Sequence, residues 1–205
     1  MSTAREAVEG FGQGTDFTCA VACARYLLHR EGVECTEADF CRRLGPYLRP
    51  GLVPQDGYDD DQVGRVLEDF GLLPEVRCLT GVGGDFELLQ RPPREGTAPA
   101  LWDWLLRTTS SGRPVKVCLD MTRLADPSAV APRVPHSVVV LTVRDGLVYY
   151  LEPDPPGQVS YPKRGEVHSA PLSHFRAAWQ ALSCLALAVE PLPFWRRFLR
   201  RLGLA

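Results

Sequence analysis

The sequence predicts an α+β fold, with an N-terminal helical lobe packed on a C-terminal antiparallel β-sheet lobe. Three observations lead there. Apolar residues recur at helical spacing in the first half, as in Val63, Val66, Leu67 and Phe70. The second half carries short β-branched runs, Val115 to Leu119 and His136 to Val143, with the hairpin signal Asp145-Gly146 after the second. Helices that precede strands, rather than alternating with them, indicate α+β rather than α/β. At 205 residues the chain suits one domain in two lobes. We read residues 1–190 as that domain, the helical lobe over about 12–108 and the sheet lobe over about 109–190, followed by a tail over 191–205.

Taken in order, residues 1–12 read as a lead-in. A first helix runs from about Thr18 to Arg30 and stops at Gly32. From Cys19 to Leu28 its only charge is Arg25, which shares one narrow polar stripe with His29, so the helix is predicted to be buried. A second helix, Thr36 to Leu44, opens on a capping-box pattern with Asp39 and ends at Gly45. Residues 45–58 read as loop. Asp59-Asp60-Asp61 then suits a solvated helix entry, and Gly71 closes that third helix. Leu73 to Thr80 reads as a short strand, residues 81–99 as a Gly/Pro-rich surface excursion, and Ala100 to Thr108 as a fourth helix. After a turn at 110–114 comes the buried strand Val115 to Leu119, then a loop over 120–134. His136 to Val143 and Leu147 to Leu151 form the hairpin. Residues 153–170 are Pro/Gly-rich. Ser173 reads as the N-cap of a helix carrying Phe175, Ala178, Trp179 and Leu182, and Cys184 to Val189 as a last strand. In the tail, Phe194, Trp195, Phe198, Leu199 and Leu202 stand against Arg196, Arg197, Arg200 and Arg201, a basic amphipathic helix suited to a membrane surface, a partner, or its own domain.

Composition narrows the function classes. The net charge of −2 offers no general field for nucleic acid. No apolar run is long enough to span a bilayer, and the start lacks a signal-peptide core, so a cytoplasmic location is expected. Seven cysteines with no Cys-x-x-Cys pair argue against a disulfide framework or a zinc ribbon, so no metal and no cofactor are expected.

The chemistry gathers at two places. Cys19 opens an apolar helix, where free N–H groups and the positive dipole end favour thiolate over thiol. Gln13 stands six residues upstream, placed to reach an oxygen held beside that sulfur. Far downstream, His136 begins the strongest strand, and the next strand ends in Leu151-Glu152-Pro153-Asp154. The tight hairpin brings these two outer ends together, so Glu152, with Asp154 as the alternative, can orient the imidazole. Cysteine nucleophilic catalysis needs this set: a thiol, a base, and a group that orients the base. The bland alternatives are a core cysteine, a surface histidine and a solvated glutamate.

Gln13, five residues, Cys19 and then an apolar helix resembles the opening of papain-like cysteine peptidases, most closely the bacteriocin-processing, double-glycine-leader peptidases and their stand-alone relatives. His136-Ser-Val-Val-Val and Leu151-Glu152-Pro153 occupy the places of that family's histidine strand and following Asp-Pro. Ser111 to Val115 resembles its Gly-x-Pro strand entry, and Ser173-x-Phe175 with Trp179 its late helix. Ala20 stands where the family has Gly, and Glu152 where it has Asp. The resemblance implies a papain-like thiol hydrolase acting on a peptide or protein substrate. Cys19 would be the nucleophile, His136 the base, Glu152 the orienting carboxylate, and Gln13 with the Cys19 N–H the oxyanion hole. Two other readings remain: the same site in acyl transfer or deamidation, and an inert peptide-binding module.

Overall fold

The computed structural model describes residues 7–8, 11–16, 18–48, 59–82, 88–155, 157–158, 160, 163–190 and 193. In chain order the elements are β1 (Ala7–Val8), α1 (Cys19–Arg30), α2 (Glu37–Leu44), a 3-10 turn (Gly45–Tyr47), α3 (Asp60–Asp69), β2 (Pro74–Leu79), β3 (Arg94–Gly96) and α4 (Ala98–Ser110). They continue with β4 (Val115–Asp120), α5 (Met121–Ala125), β5 (Pro135–Arg144), β6 (Leu147–Glu152), β7 (Gly165–Pro171), α6 (Leu172–Ala181) and β8 (Ala186–Val189). The strands form one sheet in the order β1-β7-β6-β5-β4-β8-β2-β3, antiparallel except for β2 with β3. The fold is α+β, as predicted.

Strand alternation assigns the sheet two buried faces. Val139, Leu151, Leu187 and Val189 pack with α1, α2 and α3. Val138, Val140, Val148, Tyr150, Ala186 and Ala188 pack with α4 and α6. A strand covered on both sides reads as an unbroken apolar run, which is why β5 has the form Ser-Val-Val-Val-Leu. At the β5–β6 turn, Asp145 and Gly146 have φ of 53° and 74°, the left-handed pair that a two-residue hairpin of this twist requires.

The first helix follows its sequence pattern. Val21, Ala22, Cys23, Ala24, Leu27 and Leu28 are buried, and His29 is exposed. The helix closes over Gly32, with Val33 N donating to Leu28 O at 3.0 Å. Thr36 caps α2 through Asp39 N, as expected.

Elsewhere the structure departs from the reading. Strands from both halves share the sheet, because β2 pairs with β8; pairings this distant leave no local trace. The fourth helix lies on the sheet face opposite α1–α3 and begins at Ala98, capped by Thr97, with Pro99 in its first turn, where the missing N–H does no harm. The loop over 120–134 contains α5, too short to show a period and capped by Asp120 through Thr122 N. The Pro/Gly-rich stretch contains β7, whose residues 166–171 pair with the whole of β6. The last helix starts at Leu172, so Ser173 lies inside it and is not its N-cap. The acidic entry to α3 is not solvated: Asp60 is 4% exposed and Asp61 1%. The amphipathic tail helix and much of the 45–58 and 81–99 segments lie outside the described residues. No described helix is long and apolar enough to cross a membrane.

Trp179 anchors the α4–α6 face. It is 1% exposed, lies 6.2 Å from the Trp102 ring, and its Nε1–H donates to Leu185 O at 2.9 Å. Trp179→Ala removes that volume and takes away one of the two donors to Leu185 O, the other being Cys118 N at 3.2 Å. A destabilisation of about 3–5 kcal/mol is expected in urea unfolding.

Candidate active site

Cys19 is the first residue of α1. The approach is held by Thr18, whose Oγ1 accepts from Gly14 N at 3.1 Å and Thr15 N at 3.0 Å. That turn sets the sulfur at the helix entry, where the first-turn amides have no partner within the helix. Cys19 remains partly exposed, so a reagent can reach it.

The other two groups come from the hairpin. Val139 pairs with Leu151, so continuing the ladder brings Glu152 level with the start of β5. There His136 Nε2 lies 2.5 Å from Glu152 Oε1. An ionised carboxylate only accepts, so Nε2 carries the proton and donates. The remaining nitrogen, Nδ1, is then free for the hydrogen bond between His136 and Cys19. The Ser137 backbone amide also serves the sulfur. Thus the structure brings Cys19, His136 and Glu152 together, with His136 hydrogen-bonded to Glu152 and acting on the Cys19 thiol.

The electrostatics follow from those contacts. Burial opposes charge on Cys19, but the His136 hydrogen bond and charge, the Ser137 amide and the Lys116 charge outweigh it, and the thiol lies below its ordinary range. Burial likewise opposes charge on His136. The hydrogen bonds to Cys19 and Glu152, with both of their charges, push it up to about 10. A lowered thiol beside a raised imidazole favours a thiolate–imidazolium pair, and its two steps belong to the pair.

Asp154, the alternative to Glu152, is turned away. Its carboxylate is ion-paired with Lys163 Nζ, while its backbone N–H donates to Glu152 Oε1 at 2.9 Å. Asp154 therefore serves the site through its main chain. Gln13 is tied to the same corner: its N–H donates to Pro153 O at 2.9 Å and its carbonyl accepts from Lys163 N at 3.0 Å. Its side-chain amide is fully buried, with neither Nε2 nor Oε1 hydrogen-bonded, a costly state for an amide. The other histidines are engaged elsewhere: His29 with Glu34, His168 with Glu166, His174 with Leu124 O.

Two contributors escaped the sequence reading. One is the Ser137 amide, since main-chain donors leave no mark in a sequence. The other is Lys116, buried in β4 and paired with Asp60. A single lysine inside Val115-Lys116-Val117-Cys118-Leu119 was the available signal. Among the described residues, no cluster of His, Cys, Asp and Glu is arranged to hold a metal ion.

The pair defines a pH window. The thiolate–imidazolium form should appear as pH rises through the lowered Cys19 value and disappear as His136 loses its proton near pH about 10. A kcat/KM profile on a peptide amide is expected to be bell-shaped, with its upper limb well above the ordinary histidine range.

Comparison with family models and with curated proteins gave no match. The fold does match a solved structure, that of a protein described as a candidate C39-like peptidase from Bacillus anthracis. The match has 15% identity, covers 92% of this chain and 98% of that one, and reaches a TM-score of 0.56. The chain thus has the papain-like α+β fold of a C39-like peptidase; at that identity the likeness speaks to the fold.

Proposed function

We propose that this chain is a papain-like thiol hydrolase that cleaves peptide or amide bonds, with Cys19 as nucleophile, His136 as base and then acid, and Glu152 as the group that orients the imidazole. The observation that carries the reading is His136, hydrogen-bonded to Glu152 and acting on the Cys19 thiol at the start of an apolar helix. The Cys19 thiolate attacks the carbonyl carbon. The resulting oxyanion is held by the Gln13 amide and the Cys19 N–H, each such donor being worth about 10²–10³ in rate. The His136 imidazolium then protonates the leaving amine. Water, deprotonated by the same ring, attacks the acyl-thioester and frees Cys19.

The fold likeness to a C39-like peptidase supports the peptidase form of this chemistry. We extend it to a peptide substrate handled by a relative of the bacteriocin-processing peptidases, without assigning double-glycine specificity. Seven free thiols fit a reducing compartment, hence a cytoplasmic setting. A peptide chloromethyl-ketone library, which alkylates an activated thiolate with loss of chloride, tests the proposal. Intact-mass analysis should find one adduct, on Cys19, and none in Cys19→Ala. Absence of any adduct, or an adduct on another cysteine, would overturn it.

A further inference from the structure

Lys116 is the odd residue of β4. Its neighbours along the strand, Val115 and Val117, and its partners across both ladders, Val139 and Leu187, are buried and apolar. Val139 and Leu187 belong to the core beneath α1 and α3, and directly paired residues share a face, so the Lys116 side chain enters that core. There it meets Asp60, the first residue of α3, in an ion pair whose side chains are 1% and 3% exposed. Asp60 Oδ2 has no hydrogen-bond partner. Buried pairs of this kind add little net stability, because desolvation offsets their attraction.

Sulfur surrounds this pair. Cys118 lies two residues along β4 on the same face and is paired with Ser137. Cys23 Sγ donates to Ser137 O at 3.4 Å, and the Ser137 amide serves Cys19. Ser137 therefore ties three thiols to one strand position, two residues from Val139, the partner of Lys116. The Lys116 charge acts on all three. At Cys23 and Cys118 the opposing Asp60 charge acts as well, whereas at Cys19 the leading charges are both positive, His136 first and Lys116 second.

We infer that the Lys116–Asp60 pair is an electrostatic support for the nucleophile: the ammonium holds the Cys19 sulfur as an anion from the core side, while His136 holds it from the partly exposed side. The inference rests on Cys19 being the nucleophile. Lys116 touches no reacting atom and is a positioning residue. Its burial matters because little water screens its charge. Burial keeps Cys23 and Cys118 as neutral thiols, Cys118 pushed up to about 12, so the field acts on a single anion. The groups that act on or couple to Cys19 are His136 on β5 with Glu152 of β6 behind it, Lys116 and Cys118 on β4 and Cys23 on its own helix, while Asp60 on α3 acts on Cys23 and Cys118.

The test is the pH dependence of Cys19 alkylation by iodoacetamide in the full chain, followed by peptide mass mapping. Lys116→Arg keeps the charge and should keep the wild-type acidic limb. Lys116→Gln with Asp60→Asn keeps a neutral hydrogen-bonded pair, and Lys116→Met with Asp60→Leu an apolar one; thermal melting shows which of these fold. In a folded neutral pair the acidic limb should move up, so that alkylation at a pH on that limb slows about threefold to tenfold. An unmoved limb overturns the inference, and so does failure of both neutral pairs to fold, which would assign the pair to structure alone. Slow wild-type alkylation at Cys19 would instead overturn the hydrolase reading itself.

Discussion

Replacing His136 with alanine is expected to slow peptide cleavage by about 10²–10⁴-fold. The ring does two things in this site. In the proposed mechanism it passes the proton to the leaving group, and its hydrogen-bonding and then its charge are the leading influences that favour the Cys19 thiolate against burial. The variant should therefore also lose thiol reactivity. With the thiol back near its ordinary value, alkylation of Cys19 at pH 6 should fall about tenfold or more, even allowing for the higher intrinsic nucleophilicity of a more basic sulfur. A stability signature accompanies this. The folded His136 is raised to about 10, above its unfolded value of about 6.5. Its contribution is thus full below about 6.5 and lost as pH rises through about 10. His136→Ala should be less stable than wild type in neutral urea melts, and the gap should narrow at pH about 10.

The second large effect separates the two carboxylates after β6. Glu152 is 2% exposed and holds His136 Nε2, whereas the Asp154 carboxylate lies on Lys163. Glu152→Gln keeps the size of the side chain and removes its charge. The imidazolium then loses its anionic partner, so kcat/KM should fall about 10–10²-fold and the upper limb of the pH profile should move down from about 10 by one unit or more. Asp154→Asn leaves the Asp154 backbone N–H on Glu152 Oε1 and should keep both limbs. Equal effects in the two variants, or a larger one at Asp154, would contradict the assigned roles.

These contrasts mark what the sequence made legible. Cys19 stood out because an otherwise apolar helix opens on it. His136 and the end of β6 could be brought together because Asp145-Gly146 permits one tight turn, which fixes which strand ends meet. Choosing Glu152 over Asp154 was beyond pattern, since two residues separate them. The choice depends on the chain path after Leu151 and on a bulge near Leu141 that shifts the ladder. The helix faces followed from spacing, but the joining of β2 and β3 to the later strands did not, because it rests on pairings more than a hundred residues apart. Lys116 was hidden for a related reason. A charged residue in an apolar strand has meaning only when its partner is known, and Asp60 lies 56 residues away in what reads as a solvated acidic run.

Competition among the seven cysteines puts the central claim to its most direct trial. The folded protein would be treated with limiting iodoacetamide at pH 6 and the label mapped by peptide mass. Cys19 should carry nearly all of it, ahead of Cys35, which is also partly exposed but whose thiol is pushed up by burial. Label spread according to exposure, with Cys19 no faster than Cys35, would show that the sulfur is an ordinary thiol and would leave this fold without its nucleophile.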